Sequence, residues 1–337
     1  MLKFGIFDHL DSNGRPLGDF LEQRLRLIEL IETAGFAGYH LAEHHSTPLG
    51  MAASPSVFLA AAFSRTERLR MGPLVYVLPL HHPLRLYEEI CMLDQLSGGR
   101  LMLGVGRGGA LIEHQRYGIE PKDAGALYHE AFAVLMRAFD SDTVDFDGRF
   151  FHYKDYLVQA KPLQRPHPPL WYGAPNAEAV AWAAPRAINV VSLGPAERAR
   201  AISDRYRAEW SALGKPASEL PSIGITRHIV VAATDDAAKR IARAAYPRWI
   251  EAMTFLWQRS QLDFTLKDIY PPDFDALENI GHGIAGSPAT VRSYLQNLER
   301  DTGVTYVLCQ MVFGDIGFDD AATSLGLFAR EVMPAFG

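Results

Sequence analysis

A carboxylate and two imidazoles stand side by side in the stretch "AEHHSTP", where Glu43 directly precedes His44 and His45. Histidine changes its charge near neutral pH, so it can accept or donate a proton during catalysis, and a neighbouring carboxylate adjusts that step. Adjacent side chains on an extended chain point in opposite directions, so only one of the two histidines is expected to face a bound molecule. The stretch therefore indicates acid–base chemistry, with a hydrogen-bonded structural histidine as the alternative.

A second candidate is the glycine cluster "LMLGVGRGGAL", in which Gly104-x-Gly106-x-x-Gly109 matches the dinucleotide-binding pattern letter for letter. That pattern belongs at the first strand of a nucleotide-binding unit, with an acidic residue ending the next strand about 20 residues later. Here three strand-like runs come first, and the residues about 20 positions later read as a loop and a helix start. The context excludes a nicotinamide site. We expect an anion site served by the planar fork of Arg107, with a plain glycine turn as the alternative.

The stretch "GAPNAEAVAWAA" follows a later strand-like run and places Pro175 and Asn176 near a predicted helix start. Free N–H groups at a helix start attract anions, so this stretch is a candidate for the second half of a phosphate site. A simple helix cap is equally consistent with it. The pair His81 and His82 is expected to serve mainly as loop and cap residues.

Metal-ligand patterns such as H-x-H, H-E-x-x-H and C-x-x-C do not occur, so we expect no metal. Cys91 and Cys309 lie far apart in apolar stretches, which indicates buried, reduced thiols. A formal net charge of -6 argues against a protein that reads a nucleic-acid backbone. The longest apolar run, "GPLVYVLPL", is about half of a membrane span, and no secretory leader is recognisable, so a cytoplasmic protein is expected.

Continuous apolar runs recur along the chain, as is typical of strands covered on both faces. Eight such runs lie at 3–7, 38–43, 69–79, 100–106, 169–174, 187–193, 224–233 and 304–313. Helical patterns lie between or after them, at 19–35, 54–66, 82–99, 125–139, 176–184, 195–212, 235–250, 288–299 and 319–332. This alternation predicts an α/β protein with a (β/α)8 TIM barrel, in which chemistry takes place at the carboxyl ends of the strands.

Two stretches interrupt the alternation. Residues 141–168 predict a small hairpin before the fifth strand. Residues 258–287 predict a lid-like loop before the last βα unit, with a plain surface loop as the alternative. We expect residues 1–337 to form a single domain.

Four stretches occur in order over nearly the whole chain: "AEHHSTPLG", "HHPLRLYEEICMLDQLSGGRLMLGVGRGG", "PLWYGAPNAEAVAWAA" and "FAREVMPAF". Together they resemble the bacterial luciferase-like flavin-dependent monooxygenases. The resemblance implies a TIM barrel that binds reduced FMN at its carboxyl-terminal mouth and assembles as a dimer. It also implies that the protein is an oxidoreductase that uses O2.

The resemblance assigns roles to individual residues. His44 matches the active-site base, and His45 matches a second, supporting catalytic histidine. Leu74 and Val75 match a dipeptide joined by a non-proline cis bond, against which the flavin ring packs, and Phe7 matches an aromatic residue at the mouth. The residues expected to hold FMN are Leu74, Val75, Arg107, Gly108, Ala174, Asn176 and Ser192, with Arg107 and Asn176 at the phosphate and Ser192 near the ring.

The sequence also departs from the family pattern. Gly106 stands where the light-emitting members carry a reactive cysteine, so thiol chemistry is not expected. Asn176 and Ala179 replace a serine and a threonine at the phosphate end, which leaves more of the binding to Arg107. We expect oxidation of a small, apolar organic substrate, reduced FMN from a separate flavin reductase, and a homodimer. Helices 54–66 and 83–97 carry apolar faces that fit a dimer interface, with ordinary barrel helices as the alternative. A deazaflavin-dependent dehydrogenase and a non-catalytic flavin-binding protein are the alternatives.

Overall fold

The computed structural model describes residues 1–337. The strands are β1 (Lys3–Asp8), β2 (Gly38–Leu41), β3 (Met71–Pro73), β4 (Tyr76–Val77), β5 (Leu103–Gly106), β6 (Thr143–Asp147), β7 (His152–Leu157), β8 (Leu170–Gly173), β9 (Asn189–Ser192), β10 (Ile223–Val231), β11 (Gly283–Gly286) and β12 (Tyr306–Gln310). The helices are α1 (Leu17–Ala34), α2 (Pro55–Phe63), α3 (Pro83–Leu96), α4 (Leu111–Arg116), α5 (Ala124–Asp140), α6 (Val180–Ala183), α7 (Ala196–Ala212), α8 (Asp235–Arg259), α9 (Phe274–Asn279), α10 (Pro288–Thr302) and α11 (Phe318–Leu327).

The strands close into a parallel barrel in the order β3-β2-β1-β12-β10-β9-β8-β5-β4. The short strands β3 and β4 are two halves of one barrel strand, interrupted at the cis peptide bond between Leu74 and Val75. A bridge from Met71 to Leu101, just before β5, closes the wall. Counted in this way, the barrel has the eight strands that the apolar runs predict. The (β/α)8 prediction is confirmed.

The continuous apolar runs form strands because each strand is covered on both faces, and all nine residues of β10 are buried. Residues that face outward, such as Ile6 and Ile225, pack beneath the surrounding helices. Residues that face inward, such as Phe7 and Trp171, fill the barrel. A Cβ atom at Gly72 would overlap the carbonyl oxygen of Met102, so glycine there lets two neighbouring strands approach closely.

The interruption at 141–168 contains the predicted hairpin, β6 and β7, which pair in antiparallel fashion outside the barrel. The 258–287 segment is more regular than the predicted loop, because it holds the end of α8, all of α9 and β11. Asp273 caps α9 by accepting a hydrogen bond from the Ala276 N–H (2.8 Å). Strand β11 pairs in parallel with the end of β10, which continues beyond its pairing with β9. None of the helices combines the length and the apolar character needed to cross a membrane.

Candidate active site

The carboxyl ends of the barrel strands meet at one mouth, and the histidine that follows β2 faces it. A hydrogen bond of 2.9 Å joins Nδ1 of His44 to Oε1 of Glu113, a buried carboxyl group on α4. The other ring nitrogen of His44, Nε2, has no partner in the protein, and the side chain is 23% exposed. The arrangement fixes the orientation of the imidazole while leaving one nitrogen free for proton transfer.

A second imidazole lies beside that of His44. It belongs to His9, which directly follows β1. The two rings stack with their centroids 5.6 Å apart, and the far side of His9 meets the edge of Trp249. Burial lowers the pKa of His9 well below its ordinary value, and the nearby His44 and His228 lower it further. His9 therefore stays neutral at physiological pH and packs against His44 as an uncharged aromatic surface.

His45 points away from the mouth, as the alternation of side chains requires. Its Nε2–H donates to the buried carboxylate of Glu43 (2.7 Å), and its Nδ1 accepts from the Tyr117 hydroxyl (3.0 Å). Glu43 also accepts from His81 (2.8 Å) and from the backbone N–H of Val77 (2.8 Å). Burial alone would raise the pKa of Glu43, but the hydrogen bonds from His45 and His81 bring it below its ordinary value. This network ties the end of β2 to β4.

The floor of the mouth contains the dipeptide predicted to support a flavin ring. The Leu74–Val75 peptide bond is cis, as the family resemblance implies. Leu74 packs in the inner cluster of the barrel with Phe7 and Trp171, and Val75 lies against the same cluster. A Cβ atom at Gly106 would come 2.6 Å from Cγ2 of Val75, so glycine at this position leaves room for Val75. The floor is therefore apolar, which suits the face of an aromatic ring.

The guanidinium of Arg107 is exposed just past β5 and forms no ion pair with a carboxylate. Burial raises the pKa of the Tyr172 hydroxyl, and the nearby positive charge of Arg107 partly offsets this effect. The backbone carbonyl of Arg107 accepts a hydrogen bond of 2.7 Å from Nε2 of His114 on α4. Gly108 follows with φ of +85°, a left-handed conformation that glycine adopts without strain. The loop thus presents an unpaired cation at the mouth.

Asn176 is exposed after β8, but the helix predicted to start beside it begins only at Val180. The side-chain oxygen of Asn176 accepts from the Ala179 N–H (3.2 Å) and so stabilises the turn that precedes the helix. Because α6 has only four residues, it presents a weaker dipole than the sequence pattern predicts. The amide nitrogen of Asn176 remains available to an anion.

Ala174 and Ser192 lie at the ends of neighbouring strands, where the Ala174 N–H donates to the Val191 carbonyl (2.8 Å). Both residues are buried. The Ser192 hydroxyl oxygen accepts from the Gly194 N–H (3.2 Å) and closes the turn after β9. The structure thus places all seven expected cofactor residues at the carboxyl ends of β3, β5, β8 and β9.

Helices α4 and α8 cover part of the mouth. Ile112 of α4 packs with Leu256 near the end of α8. Closer to the middle of α8, the indole of Trp249 contacts the imidazole of His228 from β10, with the ring centroids 4.5 Å apart. Tyr246, Tyr270 and Phe313 surround that histidine. An aromatic wall therefore stands beside His44 and His9.

Several residues of this site were not among those predicted from the sequence. His9 follows the first strand directly, so the strand-end rule that singled out His44 could also have found it. The alternation along β10 likewise offered a signal for His228. Glu113 had no such signal, because α4 was not predicted and its contact with His44 joins segments 69 residues apart. No group of three or more His, Cys, Asp or Glu side chains is placed to hold a metal ion.

Comparisons with known proteins agree with this geometry. Residues 2–306 match the family model described as luciferase-like monooxygenase. The chain is 38% identical to the protein y4wF of Sinorhizobium fredii over 336 residues, which covers 100% of this chain and 98% of that one. Its fold matches the monooxygenase RslO1 from Streptomyces bottropensis with a TM-score of 0.86 at 25% identity, covering 100% of both chains. The fold also matches the oxygenating constituent of 3,6-diketocamphane monooxygenase from Pseudomonas putida, solved in complex with FMN, with a TM-score of 0.80 at 21% identity and coverage of 99% and 98%.

Proposed function

Because the chain belongs to the luciferase-like monooxygenase family, we propose that it uses reduced FMN and O2 to oxidise a small organic substrate. The observation that carries the proposal is that one mouth combines an apolar floor at Leu74 and Val75, an unpaired guanidinium at Arg107 and an unpaired imidazole nitrogen at His44. These are the groups needed to seat a flat ring, hold a phosphate and move a proton. We also propose that residues 1–337 act as one domain.

The residues at the mouth fit FMN in charge and shape. Arg107, the flexible backbone at Gly108 and the amide of Asn176 would hold the phosphate. Leu74 and Val75 would support the ring, with Ala174 and Ser192 bordering it. When bound, reduced FMN supplies the electrons that activate O2. The buried aromatic wall of α8 would limit the access of water to the reacting atoms.

The two histidines have different tasks in this proposal. Glu113 accepts the Nδ1–H of His44, which leaves the lone pair on Nε2 directed to the mouth as the proton acceptor. His45 has both ring nitrogens engaged, with Glu43 and Tyr117, and so positions the strand end. We therefore assign the catalytic proton transfer to His44, whereas His45 supports that step by holding the strand end in position.

The phosphate site can be tested by comparing FMN with riboflavin, which has the same ring and no phosphate. In Arg107→Ala, we expect FMN binding to weaken about ten- to hundredfold, as for the loss of one charge-assisted hydrogen-bonding partner. Riboflavin binding should change by less than about twofold. Tryptophan fluorescence during anaerobic titration with the reduced flavins gives both constants. Arg200→Ala is the control, because that arginine lies on α7 and pairs with Asp204.

If Arg107→Ala weakens the binding of FMN and of riboflavin equally, the variant damages the ring site, and the assignment of Arg107 to the phosphate is wrong. Titration with reduced deazaflavin coenzyme F420 completes the comparison, and tighter binding of that coenzyme than of FMN would overturn the cofactor assignment.

The electrons are proposed to come from a separate flavin reductase. The one nicotinamide-like glycine pattern begins within β5, the fourth strand of the barrel, and presents Arg107 to the mouth, so it does not form a nucleotide-binding βαβ unit. The similar diketocamphane protein is itself named an oxygenating constituent. The chain with FMN and NADH or NADPH alone should therefore consume no nicotinamide, and adding a flavin reductase should start substrate oxidation. Consumption by the chain alone would refute this division of labour.

A homodimer is proposed through α2 and α3. Val57 on α2 and Met92 and Leu96 on α3 are exposed at 72%, 60% and 68%. These two helices pack against each other, so their exposed apolar side chains belong to adjacent surfaces. Covering such surfaces is favourable at about 25 cal/mol per Å² of apolar area.

A further inference from the structure

The carboxyl-terminal halves of β10 and β12 carry buried polar groups that take no part in the proton transfer proposed for His44. Three buried side-chain atoms there have no hydrogen-bond partner: Nε2 of His228, Nε1 of Trp249 and Oε1 of Gln310. We propose that these atoms bind a hydroxyl group of the organic substrate: its oxygen accepts from the Trp249 N–H and its proton is donated to Oε1 of Gln310, with Nε2 of His228 as a further partner. The proposal rests on the function proposed above and adds a chemical class to its substrate.

The three side chains are close neighbours. His228 and Gln310 are paired residues on adjacent parallel strands, so both point to the same side of the barrel wall. Trp249 lies over His228, with the ring centroids 4.5 Å apart and the planes at 75°. The indole also meets His9, which stacks on His44. The unpartnered atoms are therefore one aromatic ring away from the proposed proton acceptor.

Leaving such groups unpartnered is costly. A buried donor or acceptor without a partner costs about 1–3 kcal/mol, and most buried polar groups in folded proteins have a partner. Three unpartnered groups on touching or paired residues at a catalytic mouth fit a site completed by a ligand. Unpartnered buried atoms also occur elsewhere, as at the hydroxyls of Tyr128 and Ser203, so it is the grouping of three such atoms at the mouth that points to a ligand.

The surroundings select an uncharged oxygen. Burial, together with smaller contributions from His282 and Arg227, lowers the pKa of His228 to about 3, so the ring is neutral. Arg227 is the nearest charged residue along the strand, but it donates to the backbone carbonyls of Thr226 and Gly194. Tyr246, Tyr270 and Phe313 form the walls. An apolar skeleton with one neutral oxygen satisfies both the walls and the unpartnered atoms.

Cyclohexanol and methylcyclohexane have nearly the same shape and differ in a hydroxyl against a methyl group, so they serve as the two test ligands. Binding to the flavin-free chain is measured by saturation-transfer NMR. We expect the wild type to bind cyclohexanol about tenfold more tightly, although the hydrocarbon is the more apolar molecule. Gln310→Met and His228→Phe keep the size of the side chain and should each reduce the preference to about twofold or less.

Gln296→Met is the matched control, because Gln296 is exposed on the surface of α10, and it should keep the full preference. Thermal melting checks that each variant is folded. Equal binding of the two ligands, no binding of either, or a preference that survives both substitutions would overturn the proposal, the last result indicating that the hydroxyl is recognised elsewhere. FMN binding is measured on the same samples. Failure of FMN to bind, with the alcohol preference intact, would instead refute the proposed function alone.

Discussion

Asp11 offers a quantitative test of the electrostatics at the barrel mouth. This carboxyl group is buried in the loop after β1, where Oδ2 accepts a hydrogen bond from the Gly314 N–H (2.6 Å) and Oδ1 has no partner. Burial raises its pKa from 3.8 to about 7; Arg24 opposes that rise, and Asp8 adds to it. The folded protein therefore holds a proton at Asp11 that the unfolded chain releases more readily.

The sign follows from proton linkage. Between the unfolded pKa near 3.8 and the folded value near 7, the folded state binds more protons than the unfolded state. The free energy of unfolding therefore falls as the pH rises through this window. A difference of about three pKa units corresponds to about 4 kcal/mol at 1.36 kcal/mol per unit. Asp11→Asn removes the titration and keeps an oxygen to accept from Gly314.

We expect Asp11→Asn to match the wild type near pH 4 and to exceed its free energy of unfolding by about 4 kcal/mol at pH 8. Urea unfolding at a series of pH values measures the difference, and melting temperatures at a fixed scan rate should diverge by several degrees in the same direction. Asp263→Asn, at an exposed position, is the control and should follow the wild type throughout. Parallel pH curves for the wild type and Asp11→Asn would show that Asp11 ionises in the folded state without cost, which contradicts the reasoning.

Three further changes test other parts of the structure. The pKa of Glu43 is lower in the folded protein than in the unfolded chain. Its contribution to stability is therefore complete above the unfolded pKa and disappears as the pH falls through the folded pKa. Glu43→Gln should be less stable than the wild type at pH 7, and thermal melting should show that the difference disappears below about pH 4. Glu113→Gln and His44→Ala should leave FMN affinity within about tenfold while slowing substrate oxidation, assayed with a flavin reductase, by about a hundredfold or more, and unchanged oxidation would exclude His44 as the base. Met92→Glu combined with Leu96→Lys should convert the proposed dimer to a monomer in light scattering, whereas Leu213→Glu, at an exposed apolar residue outside α2 and α3, serves as the comparison. A dimer that persists would move the interface elsewhere.

The sequence pattern predicted the barrel because the signal of each buried strand lies within a few consecutive residues. Each apolar run of about five residues is buried on both faces, and the eight runs recur at the spacing of βα units. The same local information was insufficient for α4 and β11. Helix α4 has six residues and is held by the contact between Ile112 and Leu256 of α8. Strand β11, "GIAG", has little β propensity and forms because the end of β10 extends beyond its pairing with β9.

At the candidate site, the strand-end rule identified His44 and Arg107 from their positions alone. It could not identify their partners, because Glu113 and His114 come from a helix, α4, whose place depends on distant packing. The predicted helix after β8 also came out shorter, since Asn176 caps a turn before it instead of the helix itself. The residues proposed to do chemistry were readable along the chain, whereas the residues that orient them depend on contacts between distant segments.

The positions of Arg107 and His44 are mechanically linked through α4. His44 is bound to Glu113 in the middle of this helix, and His45 accepts from Tyr117 just after its end. His114 on the same helix donates to the Arg107 carbonyl. A six-residue helix has little stability of its own, so these hydrogen bonds and the packing on α8 must hold it in place. An anion that draws the Arg107 loop toward the mouth would therefore also shift the carboxyl group that orients His44, because His114, which contacts that loop, and Glu113 are neighbouring residues of α4. The adjacent histidines then have complementary effects: Glu113 on this helix orients His44, the proposed base, and His45 anchors the end of the same helix through Tyr117.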